Sequence, residues 1–326
     1  MRGSGSESSG SAGDGVARRR GAVRSPSALA SLLGACLLLA AATAGAQVDL
    51  SGNWQPAQPI IQLIPNGPPP GDFMGVPLSA AGRAMAATAD PNSESEELNR
   101  QCQVWLVDYY IDGPFGLEIR PVSNPLNGND VRAWRIEGTV DRPPVTIWVD
   151  GHAPPAPLGL HTWAGFATGQ WRGNTLDATI THLKDGWMLR NGAVQSDQAS
   201  VRMMLSREGD LLTMTFIIRD PVYLSAPYAR ARSFRLTETS PTDIIGTTND
   251  CLPAEVLPGL SDGKHAARYL PGKNPQLGSL MKDYGIPPQV ALGGAQQMYP
   301  EYQKSLRKLY RRPEGYCQVD CGAPRR

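Results

Sequence analysis

The sequence predicts a mainly β protein, an antiparallel meander that closes into a barrel and carries a C-terminal helical arm. Three observations support this. From residue 104 onward, short apolar-alternating runs recur between turn signals: Asn127-Gly128-Asn129-Asp130, Gly138, Arg172-Gly173-Asn174 and Glu208-Gly209-Asp210. About nine such runs follow an N-terminal one, and an open sheet of that many short strands would leave edges exposed, so closure is expected. Past Leu236 the alternation stops, and helix-forming segments appear, broken at Pro271, Pro287-Pro288 and Gly293-Gly294.

Residues 1–46 read as an export leader. Arg18, Arg19, Arg20 and Arg24 precede an apolar run over 28–44, and Ala44-Gly45-Ala46 is a small-x-small cleavage signal, so the mature chain is expected to start at Gln47. The run is too short and Ala-rich for a spanning helix, which needs about 20 strongly apolar residues. No stable membrane insertion is expected after cleavage, and the location expected is periplasmic or secreted. The remaining chain carries 26 Lys and Arg against 28 Asp and Glu. That balance offers no basic footprint for nucleic acid. The sequence carries no signal for an oligomeric state.

Cys102, Cys251, Cys317 and Cys321 remain after cleavage. An even number in an exported chain reads as a disulfide set with three possible connectivities. Cys317 and Cys321 are close enough to staple a terminal turn, which leaves Cys102 with Cys251. No CxxC pair and no neighbouring histidine accompanies them, so no metal is expected there, and no cofactor motif is present.

The barrel domain is expected over 47–245. It opens with Asp49-Leu50-Ser51-Gly52-Asn53-Trp54 as a short strand. Residues 56–100 form an insertion: Pro68-Pro69-Pro70-Gly71 cannot pair inside a sheet because proline lacks the ladder donor, while 78–89 has helical composition and a serine start. Strands are then expected over 104–109, 115–122, 131–137, 145–149, 164–171, 176–183, 199–206, 211–219 and 229–236. In the strand over 176–183, Leu176, Ala178, Ile180, His182 and Lys184 share one face, which reads as buried and ending in a histidine and a lysine at the rim. In the next, Val201, Met203 and Leu205 form the apolar face. In the strand over 211–219, Leu211 to Ile218 is apolar on both faces apart from two threonines, so this strand reads as central. Residues 246–326 are a loop and arm with helices over 276–284, 288–292 and 299–310. The basic charges of the last helix read as a solvated face.

Gly52-Asn53-Trp54 at the head of a meander resembles the Gly-x-Trp on the first strand of lipocalins and their calycin relatives, which makes the expected barrel calycin-like. The chain more closely resembles a large group of uncharacterised exported bacterial proteins. The shared pattern is the D-L-S-G-x-W start, the G-x-W-x-G-x-T-L strand pair at Gly169 to Leu176, and the T-H-L-K-x-G-aromatic segment at Thr181 to Trp187. It continues with Arg190 to Gly192, Ser196-Asp197, the D-P-V-Y-L turn at Asp220 to Leu224, and the arm segments at Tyr269 to Pro275 and Met298 to Tyr302. The resemblance spans the whole mature chain. It implies a fold and a secreted location, and no activity.

The candidate chemistry lies between His161 and Asp197. His182 in a barrel mouth, with its tautomer held by Asp197 or Asp185, has the makings of a general base, and Arg190 of a carboxylate or enolate clamp. The opposing reading makes His182 a core cap and Arg190–Asp197 an ion pair ordering the loop. Trp134, Trp163 and Trp187 are candidate walls for an apolar or aromatic ligand, with Lys184 and His152 at its edge. Tyr223 and Tyr228 read as packing residues or a lid. Three functions follow: an exported barrel binding a small apolar or aromatic molecule; a cofactor-independent isomerase, hydratase or hydrolase using His182; or an envelope interaction module whose arm docks a partner.

Overall fold

A computed structural model describes residues 48–57, 73, 75–89, 104–113, 116–138, 142–189, 191–240, 268–278, 287, 296 and 299–309. The proposed leader, all four cysteines of the expected disulfide set, Arg190 and most of the arm lie outside the described residues.

The strands are β1 (Gly52–Pro56), β2 (Leu117–Asn124), β3 (Asn127–Gly138), β4 (Val145–Trp148), β5 (Phe166–Arg172), β6 (Thr175–Thr181), β7 (Gly186–Trp187), β8 (Val194–Gln195), β9 (Ser200–Glu208), β10 (Leu211–Arg219) and β11 (Tyr228–Thr237). The helices are α1 (Ala80–Ala86), α2 (Tyr109–Asp112) and α3 (Pro300–Leu309). Nine strands close a barrel in the order β1-β11-β10-β9-β6-β5-β4-β3-β2, and β7 with β8 forms a separate hairpin sheet between β6 and β9. The barrel and the C-terminal helix are as expected from sequence, but one seam is not: β4 pairs with β5 in parallel, while every other pair is antiparallel. Parity accounts for it, because a closed ring with an odd number of strands cannot be antiparallel throughout. A parallel pair needs a crossover of a dozen or more residues. Residues 149–165, which include Pro154, Pro155 and Pro157, are that crossover.

Alternation places one row of side chains inside. The registers align Trp134, Ile147, Ala167, Ile180, Val201, Ile218 and Tyr228 across successive strands, and none is more than 3% exposed. Fully burying one such aliphatic side chain is worth about 1.5–3 kcal/mol, so this layer and its neighbours dominate the stability. Trp134, expected in a ligand wall, is a member of this packed layer.

The Gly-x-Trp is the barrel's closing seam. β1 pairs with both β11 and β2. Gly52 has φ +138°, a backbone conformation that favours glycine, and a Cβ there would lie 2.5 Å from Leu236 Cδ1, so that side chain would have to shift. Trp54 is fully buried and donates from Nε1 to the Leu50 carbonyl at 3.2 Å. The Arg207 guanidinium lies 5.1 Å from its ring.

Residues 104–109, expected as a strand, run instead as a buried irregular segment into α2. Trp105, Leu106, Val107, Asp108, Tyr109, Tyr110 and Ile111 are all buried, which leaves no solvent face for a strand's alternation to show. The segment is a plug. The Tyr110 hydroxyl bonds the carbonyls of Ile136 and Pro143, and Arg232 on β11 donates to those of Ile111 and Gly113. Arg142 is wholly buried against the Tyr109 and Tyr110 rings, and burial pushes its guanidinium down to about 10.

Helix α1 starts at Ser79, whose hydroxyl accepts from Gly82 N–H at 3.0 Å. Its Gly82 packs directly on the Tyr223 carbonyl, which a Cβ would approach to 2.3 Å. Of the expected arm, α3 forms, and residues 268–274 return to the end of α1. There Arg268 pairs with Ala89 in an isolated bridge, and Asn274 donates to the carbonyls of Ala87 and Ala89.

Candidate functional site

The strand over 176–183 keeps its expected face only as far as Ile180: Leu176, Ala178 and Ile180 are fully buried. His182 then takes φ +56°, the single positive φ outside glycine among the described residues. A left-handed residue reverses the alternation, so His182 leaves the barrel face and turns to the crossover. Its Nε2–H donates to the Ala156 carbonyl at 2.9 Å, and its Nδ1 accepts from the Thr181 hydroxyl at 2.9 Å. His161, 5.3 Å away ring to ring, donates from Nδ1 to the Leu183 carbonyl at 2.7 Å. Thr162 adds a backbone bond from its N–H to His182 O, and its carbonyl accepts from Lys184 N–H. Two histidines therefore fasten the crossover to the end of β6. A base in the barrel mouth needs a ring nitrogen turned to an open pocket beside a carboxylate, and His182 has both nitrogens engaged locally. Asp197 is exposed in the turn before β9, and its side chain bonds none of the described residues.

The β7–β8 hairpin builds a different site. Gly186 faces Gln195 and Trp187 faces Val194, so the two pairs point to opposite sides. On the Gly186 side a Cβ would meet Leu106 at 3.1 Å and Trp163 at 3.2 Å. Trp163 and Trp187 thus lie across the hairpin from each other, and Lys184 caps Trp163, its Nζ 5.0 Å from the ring. Beside the hairpin, Trp187, Tyr223, Met85, Asp185 and Arg268 line a pocket of about 180 Å³, together with Gly186, Val194 and Gln195. Trp187 is 4% exposed and packs with Val194, Trp105 and Tyr109, while Arg268 lies 4.2 Å from its ring. Arg268 also donates to Met85 O and Thr88 Oγ1.

The D-P-V-Y-L turn explains how Tyr223 reaches this pocket. Asp220 is buried and accepts from Ser196 N–H, Ser196 Oγ–H, Val222 N–H and Tyr223 N–H. Ser79 joins the same turn, its N–H donating to the Tyr223 carbonyl and its hydroxyl to that of Val222. The Ser196-Asp197 and Asp220–Leu224 motifs are therefore halves of one clasp that sets the pocket wall.

A second concavity lies on the barrel's outer face. The crossover's first residues, Val149 and Gly151, border a groove of about 650 Å³ whose floor includes Thr168, Gln170, Arg172, Asp177, Thr179 and Arg202. Arg202 binds Asp177 bidentately, both distances 2.7 Å, and Arg172 Nε lies 2.8 Å from the same carboxylate. These bonds, Arg202's first, hold the Asp177 carboxyl below the usual carboxylate range. His152 bonds Asp150 through Nδ1 and stacks on Trp148 at 4.2 Å, and its hydrogen bond holds the Asp150 carboxyl low.

Of the residues singled out in the sequence, Trp187, Asp185 and Tyr223 line the side pocket. Trp134 is in the core, His182 fastens the crossover to the end of β6, Trp163 packs against Gly186 of the hairpin, His152 sits at the start of the crossover, and Arg190 is outside the described residues. Sequence reasoning missed Met85 and Arg268 at the pocket, and Asp177, Arg172 and Arg202 in the groove.

Fold and site together define a closed nine-stranded barrel with a clasped aromatic side pocket and a polar outer groove. No family model, curated protein or solved structure matches the chain.

Proposed function

We propose that this protein binds a small aromatic or apolar molecule, about one ring in size, in the side pocket beside Trp187. The observation that carries this reading is the meeting of Trp187, Tyr223 and Met85 from three separate segments around about 180 Å³ of space. The lining is mixed, with Asp185, Gln195 and Arg268 beside the aromatic and apolar residues, and the volume lies below the several hundred Å³ of drug-sized pockets. Asp185 and Arg268 supply opposite charges at the rim, which orient a polar substituent. The leader-like residues 1–46 support a periplasmic or secreted setting, where such a barrel acts as a carrier or sensor of a solute.

Thermal-shift and fluorescence titration with indole, phenol and benzoate test the reading, with Trp187→Leu as the control that keeps the pocket apolar. Saturable binding of at least one probe, weakened in Trp187→Leu, is expected. Identical responses of the two proteins, or no response to any probe, would sink it.

A further inference from the structure

We propose that the outer groove is a second binding site, distinct from the side pocket, and that it takes a small solute carrying an oxyanion, a carboxylate or a phosphate. The groove is built around a carboxylate that organises two guanidinium groups. Each guanidinium has five N–H donors in a fixed plane. Arg202 commits Nε and one terminal nitrogen to hydrogen bonds with Asp177, and Arg172 forms an ion pair with the same carboxylate, its Nε 2.8 Å away. The bidentate pair fixes the plane of the Arg202 guanidinium, and each group keeps donors that Asp177 does not use. An isolated surface arginine must lose side-chain freedom when it binds an anion, whereas these two are held by a partner that is only 8% exposed.

Charge and neighbours point the same way. Two cations surround one anion, so the cluster keeps a positive excess that a ligand's negative charge can meet. Thr168 and Thr179 face each other across β5 and β6, Thr179 faces Arg202 across β6 and β9, and Gln170 faces Asp177. Hydroxyl and amide donors thus lie in two adjacent rows beside the guanidinium groups. The Arg172 and Arg202 side chains are 63% and 42% exposed, so the donors are open to a dissolved anion, and binding is expected to weaken with salt.

The test follows the Arg Nε–Hε signals in ¹⁵N-labelled protein during titration with sodium phosphate, sodium glucuronate, D-glucose and sodium chloride at matched ionic strength. Saturable shifts of the Arg172 and Arg202 signals are expected with phosphate or glucuronate; a response to one alone identifies the source of the oxyanion. Arg172→Gln leaves the Arg202–Asp177 pair intact, and loss of charge-assisted bonds there should weaken binding about tenfold or more. Trp187→Leu should leave these shifts unchanged, which separates this site from the side pocket. Linear, anion-independent shifts would overturn the proposal. So would an equal response to glucose, or undiminished binding by Arg172→Gln.

Discussion

Ser196 and Asp220 are joined twice: the buried carboxylate of Asp220 accepts the Ser196 backbone N–H at 2.7 Å and the Ser196 hydroxyl at 2.7 Å. The same carboxylate caps the turn that follows it, so one side chain ties the end of β8 to the wall carrying Tyr223.

Asp220→Asn should therefore be costly. The amide turns a donor toward a site filled with N–H and O–H donors, and losing one partner of such buried bonds costs about 1–3 kcal/mol each. Urea unfolding is expected to show a loss at the upper end of that range, and Ser196→Ala a loss of about 1 kcal/mol. Any probe that binds the side pocket should bind Asp220→Asn more weakly. Unchanged midpoints for both variants would show that the clasp contributes nothing.

His182 holds a left-handed conformation by bonds at both ring nitrogens. His182→Asn keeps a side chain that tolerates this conformation but loses the reach to Ala156, and should cost about 1 kcal/mol. His182→Ala loses the bonds and keeps the strain, so it should cost more, about 2 kcal/mol. Limited proteolysis should cut within residues 149–165 faster in both. Equal cutting of the variants and the parent would remove the fastening role.

Gln195 is fully buried, and neither side-chain amide atom has a hydrogen-bond partner. A buried amide in that state carries a desolvation penalty of about 1–3 kcal/mol. Gln195→Met keeps the length and removes the penalty, so an increase of about 1 kcal/mol in unfolding free energy is expected. A clear decrease would show that the amide is bonded in solution.

Asp177 sets a pH dependence. Its arginine partners lower its pKa in the folded state, so its contribution is complete above the unfolded value of about 3.9 and disappears as pH falls through the lower folded value. Asp177→Asn should be less stable than the parent at pH 6. The gap should close between about pH 4 and pH 2. Denaturant melts across that range check it, and a gap of constant size would contradict the assignment.

Much of the fold is legible in the alternation. Residues Val201, Met203 and Leu205 form an inner face as their pattern indicates, and the barrel strands fall near their expected positions. The plug at 104–109 is not legible, because burial on every side erases periodicity. Nor is the exit of His182 from its face, since the reversal lies in one backbone angle and not in residue type. The side pocket is half visible: Trp187 is conspicuous, but Arg268 arrives from far along the chain. The Asp177–Arg202 pair depends on the register of β6 against β9, which the intervening hairpin hides from any local reading.

The odd strand count has a consequence for how this protein can diversify. The β4–β5 seam sets a minimum length for the crossover but no maximum, and doubling such a loop adds only about 0.6 kcal/mol of closure entropy. Its first residues border the outer groove. Insertions there can reshape what the groove admits while every barrel register stays in place, so the parity of the barrel leaves its outer face open to adaptation.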